Sequence, residues 1–211
     1  MSERAGLHRF FENSRVYAAF QNGLVRTGTW ERLQPRFLAA ITTPGARVLD
    51  IGCGPAKFLS NFPSFPPDQY TGLDPNPAYI DTAKAAFPQA DLHVGTTSTV
   101  AEAISGTFDL AVAFGVLHHV DDAEAIRIAE FARDRLRPGG TFFALDPVFV
   151  PGQHPVARRL AASDRGQHVR DLDGYRELLA SVFGASAVTA DALSGLLRVP
   201  YNHSAIVARL T

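Results

Sequence analysis

The sequence has little of what marks secreted, membrane or nucleic-acid-binding proteins. One cysteine, Cys53, excludes an internal disulfide and a cysteine-rich zinc site. The longest apolar run, residues 110–117, is too short to span a bilayer, and the N-terminal stretch lacks the apolar core of a signal peptide. The charges sum to −1, so no net basic field attracts nucleic acid or an anionic membrane. We therefore expect a soluble, cytoplasmic protein with no nucleic-acid or membrane partner.

Length and composition indicate an ordinary folded domain. The chain has 211 residues, of which 46% are hydrophobic and 19% charged, and it contains no internal repeat. We expect a single domain over residues 1–211, with a helical cap at 1–43 and a core at 44–211. Aromatic residues of the cap predict a small apolar core, with walling of an apolar acceptor as an alternative role: Phe10, Phe11, Tyr17, Phe20 and Trp30.

Short apolar runs alternate with helical patterns from residue 44 onward, which is typical of an α/β protein with a mostly parallel sheet. Strands are predicted at 47–51, 69–74, 92–94, 107–114, 141–146, 186–193 and 201–209. Helices are predicted at 55–60, 77–87, about 121–136 and 171–183, with a long loop at 147–170. Because ligands bind where parallel strands end, chemistry is expected just after each strand.

A glycine-containing turn follows the first predicted strand, in the stretch VLDIGCGPA at 48–56. Gly52 and Gly54 allow a sharp turn and a close approach of the backbone to a ligand. Asp50 precedes this turn, and a carboxylate there suits a ligand with a positive amino or sulfonium group better than a pyrophosphate.

Asp74 ends the second predicted strand, 20 residues after Gly54. This is the usual spacing for a carboxylate that accepts hydrogen bonds from both ribose hydroxyls. An isolated aspartate at a strand end also forms turns, but together with the glycine loop it favours the ribose role.

Four stretches occur in order along the chain: VLDIGCGP at 48–55, YTGLDPN at 70–76, FDLAVAFGVLHHVDD at 108–122 and LRPGGTFFALDP at 136–147. Together they resemble the class I S-adenosylmethionine-dependent methyltransferases. The chain is most similar to small bacterial members with a Leu-His-His segment after the fourth strand. In these, the stretch DRGQHVR (164–170) and a late Val-Pro-Tyr-x-His (199–203) recur. The resemblance implies a Rossmann-like, mostly parallel seven-stranded sheet flanked by helices, with an N-terminal helical cap.

The resemblance also implies S-adenosylmethionine as cofactor and assigns residues to it. The methionine end falls to Asp50, Gly52, Cys53 and Gly54, the ribose to Asp74, the ribose and adenine flanks to Pro75 and Asn76, and the floor near the sulfonium to Phe114 and Gly115. Cys53 itself is expected to be a buried packing residue.

The sequence departs from the family pattern at two places. Pro55-Ala56 stands where a third glycine is common, and Val94-Gly-Thr-Thr-Ser98 lacks the acid that often accepts from adenine. We expect Thr96 or Thr97 to accept that bond more weakly, because a hydroxyl carries no charge.

Two histidines are the candidate bases. His118 and His119 follow the fourth strand, beside the expected methyl group, and histidine is the natural base near neutral pH. A packing role under the loop is the alternative for one of them. Asp146, at the end of the fifth strand, is either a third catalytic residue or a group that satisfies backbone donors in a turn at Pro147.

Candidate acceptor-binding residues lie in the last third of the chain. Residues 164–170 contain Arg165 and His168 and form either a lid over the acceptor or a surface ion-pair cluster. Tyr201 and His203 alternate along one strand and therefore share a face, from which they reach the acceptor or pack against the lid.

These features favour transfer of a methyl group to a small-molecule acceptor, with O-methylation ahead of N- or C-methylation and no metal required. The alternative is a non-catalytic nucleoside-binding protein with the same fold. A nicotinamide-dependent reductase is disfavoured because Lys57 stands where GxGxxG requires glycine. A monomer and a homodimer are both compatible with the sequence.

Overall fold

The computed structural model describes residues 25–164 and 166–211 and is built around a mixed sheet. Its strands are β1 (Val48–Ile51), β2 (Tyr70–Asp74), β3 (Asp91–Val94), β4 (Phe108–Phe114), β5 (Leu136–Phe149), β6 (Arg170–Asp171), β7 (Val188–Ser194) and β8 (Asn202–Arg209). The order is β3-β2-β1-β4-β5-β8-β7, with β8 antiparallel to both neighbours, and β6 pairs with the end of β5. The predicted Rossmann-like, mostly parallel architecture is confirmed, but the sheet has eight strands and not the predicted seven, because the two-residue β6 adds to it.

Helices flank the sheet, and several of them begin at a capping side chain. They are α1 (Thr29–Leu33), α2 (Leu38–Ile41), α3 (Lys57–Asn61), α4 (Pro77–Ala86), α5 (Asp122–Arg133), α6 (Pro155–Ala162) and α7 (Leu172–Phe183). The Asp121 carboxylate accepts from the Glu124 N–H at 2.9 Å and caps α5. Asp171 caps α7 in the same way, accepting from the Gly174 N–H at 2.8 Å. Each cap satisfies a backbone donor that the helix itself leaves unpaired.

The core has two halves, one on each face of the sheet. Since side chains alternate along a strand, Val48 and Leu49 face opposite sides. One half packs α5 and α7 against the sheet, where Phe142 stacks on Phe183 with ring centroids 5.9 Å apart. The other half packs α1, α3 and α4, where Phe37 meets Phe143 at 5.1 Å.

The described part of the predicted cap, residues 25–43, packs on this second face. The Thr29 hydroxyl donates to the Leu196 carbonyl at 2.8 Å, and the Arg32 guanidinium donates to the Ser194 and Gly195 carbonyls. These bonds tie α1 to the β7–β8 connection. The other predicted cap aromatics, Phe10, Phe11, Tyr17 and Phe20, lie outside the described residues.

The boundary between α5 and β5 differs from the prediction. The apolar stripe predicted a helix to Leu136, but α5 ends at Arg133 and Leu136 is the first residue of β5, paired with Phe108. The next β4 residue in register is Leu110, opposite Thr141, so residues 137–140 loop out of the ladder. The Pro-Gly-Gly segment would also suit the end of a helix, but in the structure it forms this irregularity within β5.

The long loop predicted over 147–170 is also wrong in part. β5 continues to Phe149, and Pro155–Ala162 forms α6 with Pro155 in its first turn. Only two residues of α6, Ala157 and Ala161, are buried. The stretch is rich in Pro, Gly, Arg and His, a composition typical of a loop, which is why the sequence did not predict the helix.

Within residues 25–164 and 166–211, no helix combines the length and apolar character needed to cross a membrane.

Candidate functional site

The glycine turn after β1 lies at the carboxyl edge of the sheet, next to β2. The N–H groups of Gly52 and Cys53 both donate to the Leu73 carbonyl, at 2.8 and 3.0 Å. Gly52 has φ +71°, and a Cβ there would lie 2.5 Å from a Val116 methyl, so the loop after β4 closes on this turn. Gly54 has φ +54°, and no atom lies within 4 Å of the position a Cβ would take. The turn therefore leaves open space at Gly54.

Ala56 occupies the position where the family pattern often has glycine. Its φ of 57° and ψ of 50° are left-handed, and it is buried. This conformation costs a non-glycine residue about 1–2 kcal/mol. Alanine therefore keeps the backbone path of a glycine here, with strain stored next to the site.

Asp74 is held against the glycine turn. One carboxylate oxygen accepts from the Gly54 N–H at 3.0 Å, and the other accepts from the Asn76 N–H at 2.8 Å. Burial raises the pKa of Asp74, and the two backbone hydrogen bonds oppose that rise. Asn76 in turn caps α4 by accepting from the Ala78 N–H, while Pro75 is exposed. Asp74 thus shapes the turn and lies beside the open space at Gly54.

Asp50 is a buried carboxylate with one side-chain donor, Tyr70. The Tyr70 hydroxyl donates to Asp50 at 2.6 Å, and only 2% of Asp50 is exposed. Burial raises the pKa of Asp50 to about 7, the charge of Asp74 adds to this, and the Tyr70 bond opposes it. The sequence did not indicate this role of Tyr70, because a tyrosine at the start of a buried strand is typical of a core residue.

Cys53 is buried beside this pair. Burial is the main cause that raises the pKa of its thiol, and the nearby carboxylates Asp50 and Asp74 raise it further. A thiol that stays protonated is a poor nucleophile, which agrees with the predicted packing role.

The segment after β3 forms its own polar turn. The Thr99 hydroxyl accepts from the Thr96 N–H at 2.9 Å, and the Thr96 hydroxyl lies 2.9 Å from that of Ser98. Thr97 is 5% exposed, whereas Thr96 is exposed. The Gly95 N–H donates to the Asp74 carbonyl at 3.0 Å, so this turn adjoins the Asp74 strand end.

Aromatic rings pack around the end of β4. Trp30 of α1 meets Phe114 edge-on at 5.6 Å, and Phe114 meets Phe143 in the same way at 5.7 Å. Gly115 follows with φ +69°, and a Cβ there would lie 3.7 Å from the His118 ring. The structure thus brings Phe114, Gly115 and His118 together at this edge.

His118 is enclosed between two carboxylates. Its Nδ1 lies 2.7 Å from Asp146 Oδ1, which also accepts from the His118 main-chain N–H at 3.1 Å. Its Nε2 lies 3.2 Å from Asp164 Oδ1. Asp146 has no exposed surface, and His118 is 4% exposed. The proposed turn at Pro147 is absent, because β5 continues through it, and Asp146 serves the His118 loop instead.

The two carboxylates outweigh the effect of burial on His118. Burial lowers its pKa, but hydrogen bonds and charge from Asp146 and Asp164 raise the pKa to about 9. The same contact lowers the pKa of Asp164 well below its usual range, against the effect of burial. At neutral pH His118 is therefore an imidazolium with both ring N–H groups donating, which leaves no lone pair to accept a proton.

His119 differs from its neighbour. Its side chain is exposed, and its ring centroid lies 4.0 Å from that of His118. The fixed loop places this second imidazole at the edge of the site.

Gly166, His168 and Arg170 dock onto the loop that carries the histidines. The His168 N–H donates to the His118 carbonyl at 3.0 Å. A Cβ on Gly166 would lie 2.0 Å from the His118 ring, so glycine is required there. Arg170 donates to the Leu117 carbonyl at 2.7 Å and forms an ion pair with Asp122 at 2.7 Å. Arg165 lies outside the described residues.

Tyr201, which precedes β8, and His203 within β8 complete the group. The Tyr201 hydroxyl donates to Asp164 at 2.8 Å, and its ring meets His203 edge-on at 5.2 Å. Burial lowers the pKa of His203 to about 4, so it is neutral at pH 7. The two stretches that recur in the resembling proteins, 164–170 and 199–203, therefore meet at Asp164.

Within the two described stretches of chain, no three His, Cys, Asp or Glu side chains are placed to share a metal ion.

Comparisons with known proteins agree with this geometry. A family profile described as a methyltransferase domain matches residues 25–188. The ubiquinone biosynthesis O-methyltransferase of Xanthomonas campestris pv. campestris (strain B100) is 31% identical over 185 residues, 82% of this chain and 75% of that protein.

Solved structures share the fold at low identity. The S-adenosylmethionine-bound amino pentose methyltransferase CalS10 of Micromonospora echinaspora has a TM-score of 0.64 and 20% identity, over 93% of this chain and 97% of that one. Mitomycin 7-O-methyltransferase MmcR has a TM-score of 0.58 and 18% identity over 78% of this chain, which spans about half of it (49%). The chain belongs to the class I methyltransferases, enzymes that use S-adenosylmethionine as cofactor.

Proposed function

We propose that this enzyme transfers a methyl group to a hydroxyl oxygen of a small-molecule acceptor. The observation that carries the proposal is a cavity of about 480 Å³ between the end of β5, the start of α6 and the β7–β8 connection. Its volume is typical of a small-molecule site. Tyr201 lines it, and the bond from Tyr201 to Asp164 links its wall to the histidine loop. The relatives named as O-methyltransferases support transfer to oxygen.

The cofactor residues expected from the sequence form one continuous edge and fit the group. Asp50 is a buried carboxylate suited to the ammonium of the methionine end, beside Gly52, Cys53 and Gly54. We assign the ribose to Asp74, its flanks to Pro75 and Asn76, the adenine to Thr96 and Thr97, and the floor near the sulfonium to Phe114 and Gly115. When bound, S-adenosylmethionine supplies an activated methyl group, so the protein must mainly position the acceptor and exclude water.

We assign the base role to His119 alone. Its imidazole is exposed at the end of β4, where an acceptor hydroxyl must lose its proton as its oxygen takes the methyl group. His118 and Asp146, also expected as catalytic from the sequence, become positioning residues, since both are buried and bonded to each other. They fix the loop that carries His119.

Asp164 and residues 166–170 lie behind the wall of the acceptor site in this proposal. His168 donates its backbone N–H to the His118 carbonyl, and Tyr201 lines the cavity with His203 packed against its ring. We keep residues 44–211 as the catalytic core and 1–43 as its cap, because α1 packs against both the sheet and the β7–β8 connection.

The acceptor atom is tested with 2-aminophenol, which offers a hydroxyl and an amine on adjacent carbons. We expect the purified enzyme and S-adenosylmethionine to give the O-methyl product, identified by mass spectrometry and NMR. Transfer to nitrogen would contradict the proposal. So would the absence of transfer, by protein that binds the cofactor, to every member of a wider series in which 2-aminophenol and catechol are joined by phenols that bear a carboxylate or a phosphate.

The base is tested with His119→Gln, and His93→Gln serves as a control on the distant strand β3. We expect kcat to fall by about 10²–10⁴-fold with cofactor affinity unchanged. A kcat within about threefold of the wild type would remove His119 from the mechanism and leave O-methylation in place.

A further inference from the structure

Two chain segments meet beside the acceptor cavity through a short antiparallel bridge. Val25 pairs with Leu197, and the Arg26 N–H donates to the Leu196 carbonyl at 2.9 Å. The buried Thr29 hydroxyl donates to the same carbonyl, which fixes the segment that precedes α1. Each bridged residue is followed by an arginine, Arg26 in one segment and Arg198 in the other.

The bridge brings these arginines next to the same open space. The chain is not extended beyond the bridge, because Thr27 lies in a turn and Arg198 in a bend. Both line the acceptor cavity, and together with Thr27 they line an adjoining space of about 370 Å³.

The two guanidinium groups lack a negative partner in the described chain. None of the described residues lining either cavity is Asp or Glu. Neighbouring arginines are engaged: Arg32 binds the Ser194 and Gly195 carbonyls, and Arg36 forms an ion pair with Asp191 at 3.0 Å. In the described parts of the chain, no ion pair involves Arg26 or Arg198. Two like charges that line the same space repel each other, and an anion between them relieves that repulsion.

We propose that Arg26 and Arg198 bind a carboxylate or phosphate group of the methyl acceptor. The planar guanidinium group forms paired hydrogen bonds with either anion. This inference rests on the proposed function for its location, since the same cavity receives the acceptor. It adds the substrate class: a hydroxylated small molecule that bears an anionic group on the side of the cavity formed by the bridge.

The test measures binding without turnover. Protein saturated with S-adenosylhomocysteine is titrated with benzoate, phenyl phosphate and neutral benzamide, and the arginine Nε–H signals are followed by NMR. The Arg26→Gln and Arg198→Gln variants assign the two signals. Arg158→Gln is the matched control, because Arg158 is on α6 beside the cavity but packs over the Phe149 ring.

We expect at least one anion to shift both arginine signals, with benzamide leaving them in place. Arg26→Gln and Arg198→Gln should each lower the affinity for that anion about tenfold, the usual effect of losing one charged hydrogen bond, and Arg158→Gln should not. The anion that binds more tightly shows whether the site prefers a carboxylate or a phosphate. If neither anion shifts the signals, or benzamide shifts them equally, the inference is wrong.

Methylation of 2-aminophenol tests the proposed function separately, because that probe has no anionic group. Transfer to its oxygen without anion binding would refute only the arginine site. Anion binding with transfer to nitrogen would refute only the choice of oxygen.

Discussion

Because of His118, the free energy of unfolding of this protein should fall at alkaline pH. Its pKa is 6.5 in an unfolded chain and about 9 in the fold, between Asp146 and Asp164. At about 1.4 kcal/mol for each tenfold gain in proton affinity, protonation stabilises the folded state by about 3 kcal/mol. Because the folded pKa is the higher one, this stability is complete below pH 6.5 and is lost as pH rises through 9.

The assay is urea unfolding between pH 6 and 10, followed by the fluorescence of Trp30, the only tryptophan. His118→Gln removes the titrating group, and His168→Gln is the control because its imidazole is exposed. We expect the wild type to lose about 3 kcal/mol more than His118→Gln between pH 6 and 9.5. Asp50 also titrates near pH 7, but it is present in all three proteins and cancels in the comparison.

A stability difference between wild type and His118→Gln that does not change with pH would refute the reasoning. The ring nitrogens give an independent reading by ¹⁵N NMR. Both should carry a proton up to about pH 9, and a neutral tautomer at pH 7 would also show that the imidazolium assignment is wrong.

Three further predictions concern the cofactor site and the segment that packs on His118. Asp74→Ala should lower the affinity for S-adenosylhomocysteine at least tenfold in a calorimetric titration, because it removes a ligand for the ribose and loosens the Gly54 turn. Asp68→Ala, at an exposed position, should leave the affinity unchanged, and equal affinities of both variants would exclude the ribose role. Tyr70→Phe removes the hydrogen bond that lowers the pKa of Asp50, so Asp50 should stay protonated above pH 7. Cofactor affinity should then fall at pH 7 and recover by pH 9, whereas a loss independent of pH would point to packing alone. Gly166→Ala places a methyl group inside the His118 ring and should lower the free energy of unfolding by about 1–3 kcal/mol. The neighbouring Gln167→Ala should leave that free energy nearly unchanged. An unchanged stability in Gly166→Ala would mean that the segment around Gly166 moves freely.

The local parts of the site are predictable from sequence because their residues act within a turn or at a fixed spacing. Gly52, Gly54 and Asp74 illustrate this, since the turn and the strand end that follows it meet through the Gly54 N–H. The sheet follows from the same alternation of strands and helices. The cofactor roles of these residues remain predictions.

The acceptor side depends on contacts distant in sequence, which periodicity does not report. His118 has a carboxylate partner in β5 and another after α6, so its charge state depends on the tertiary fold. Arg26 and Arg198 become neighbours only through the bridge between Val25 and Leu197. In sequence each is an ordinary surface arginine.

The strand order also constrains the sequence of events during synthesis. β8 lies between β5 and β7, although the ribosome produces it after β7. Until β8 emerges, the backbone of β5 on that side is an open edge, and β7 has no partner in the sheet. Domains generally fold as units during translation, and open strand edges invite aggregation. The sheet of the nascent chain therefore stays incomplete, with one edge exposed, until β8, the last described strand, leaves the ribosome.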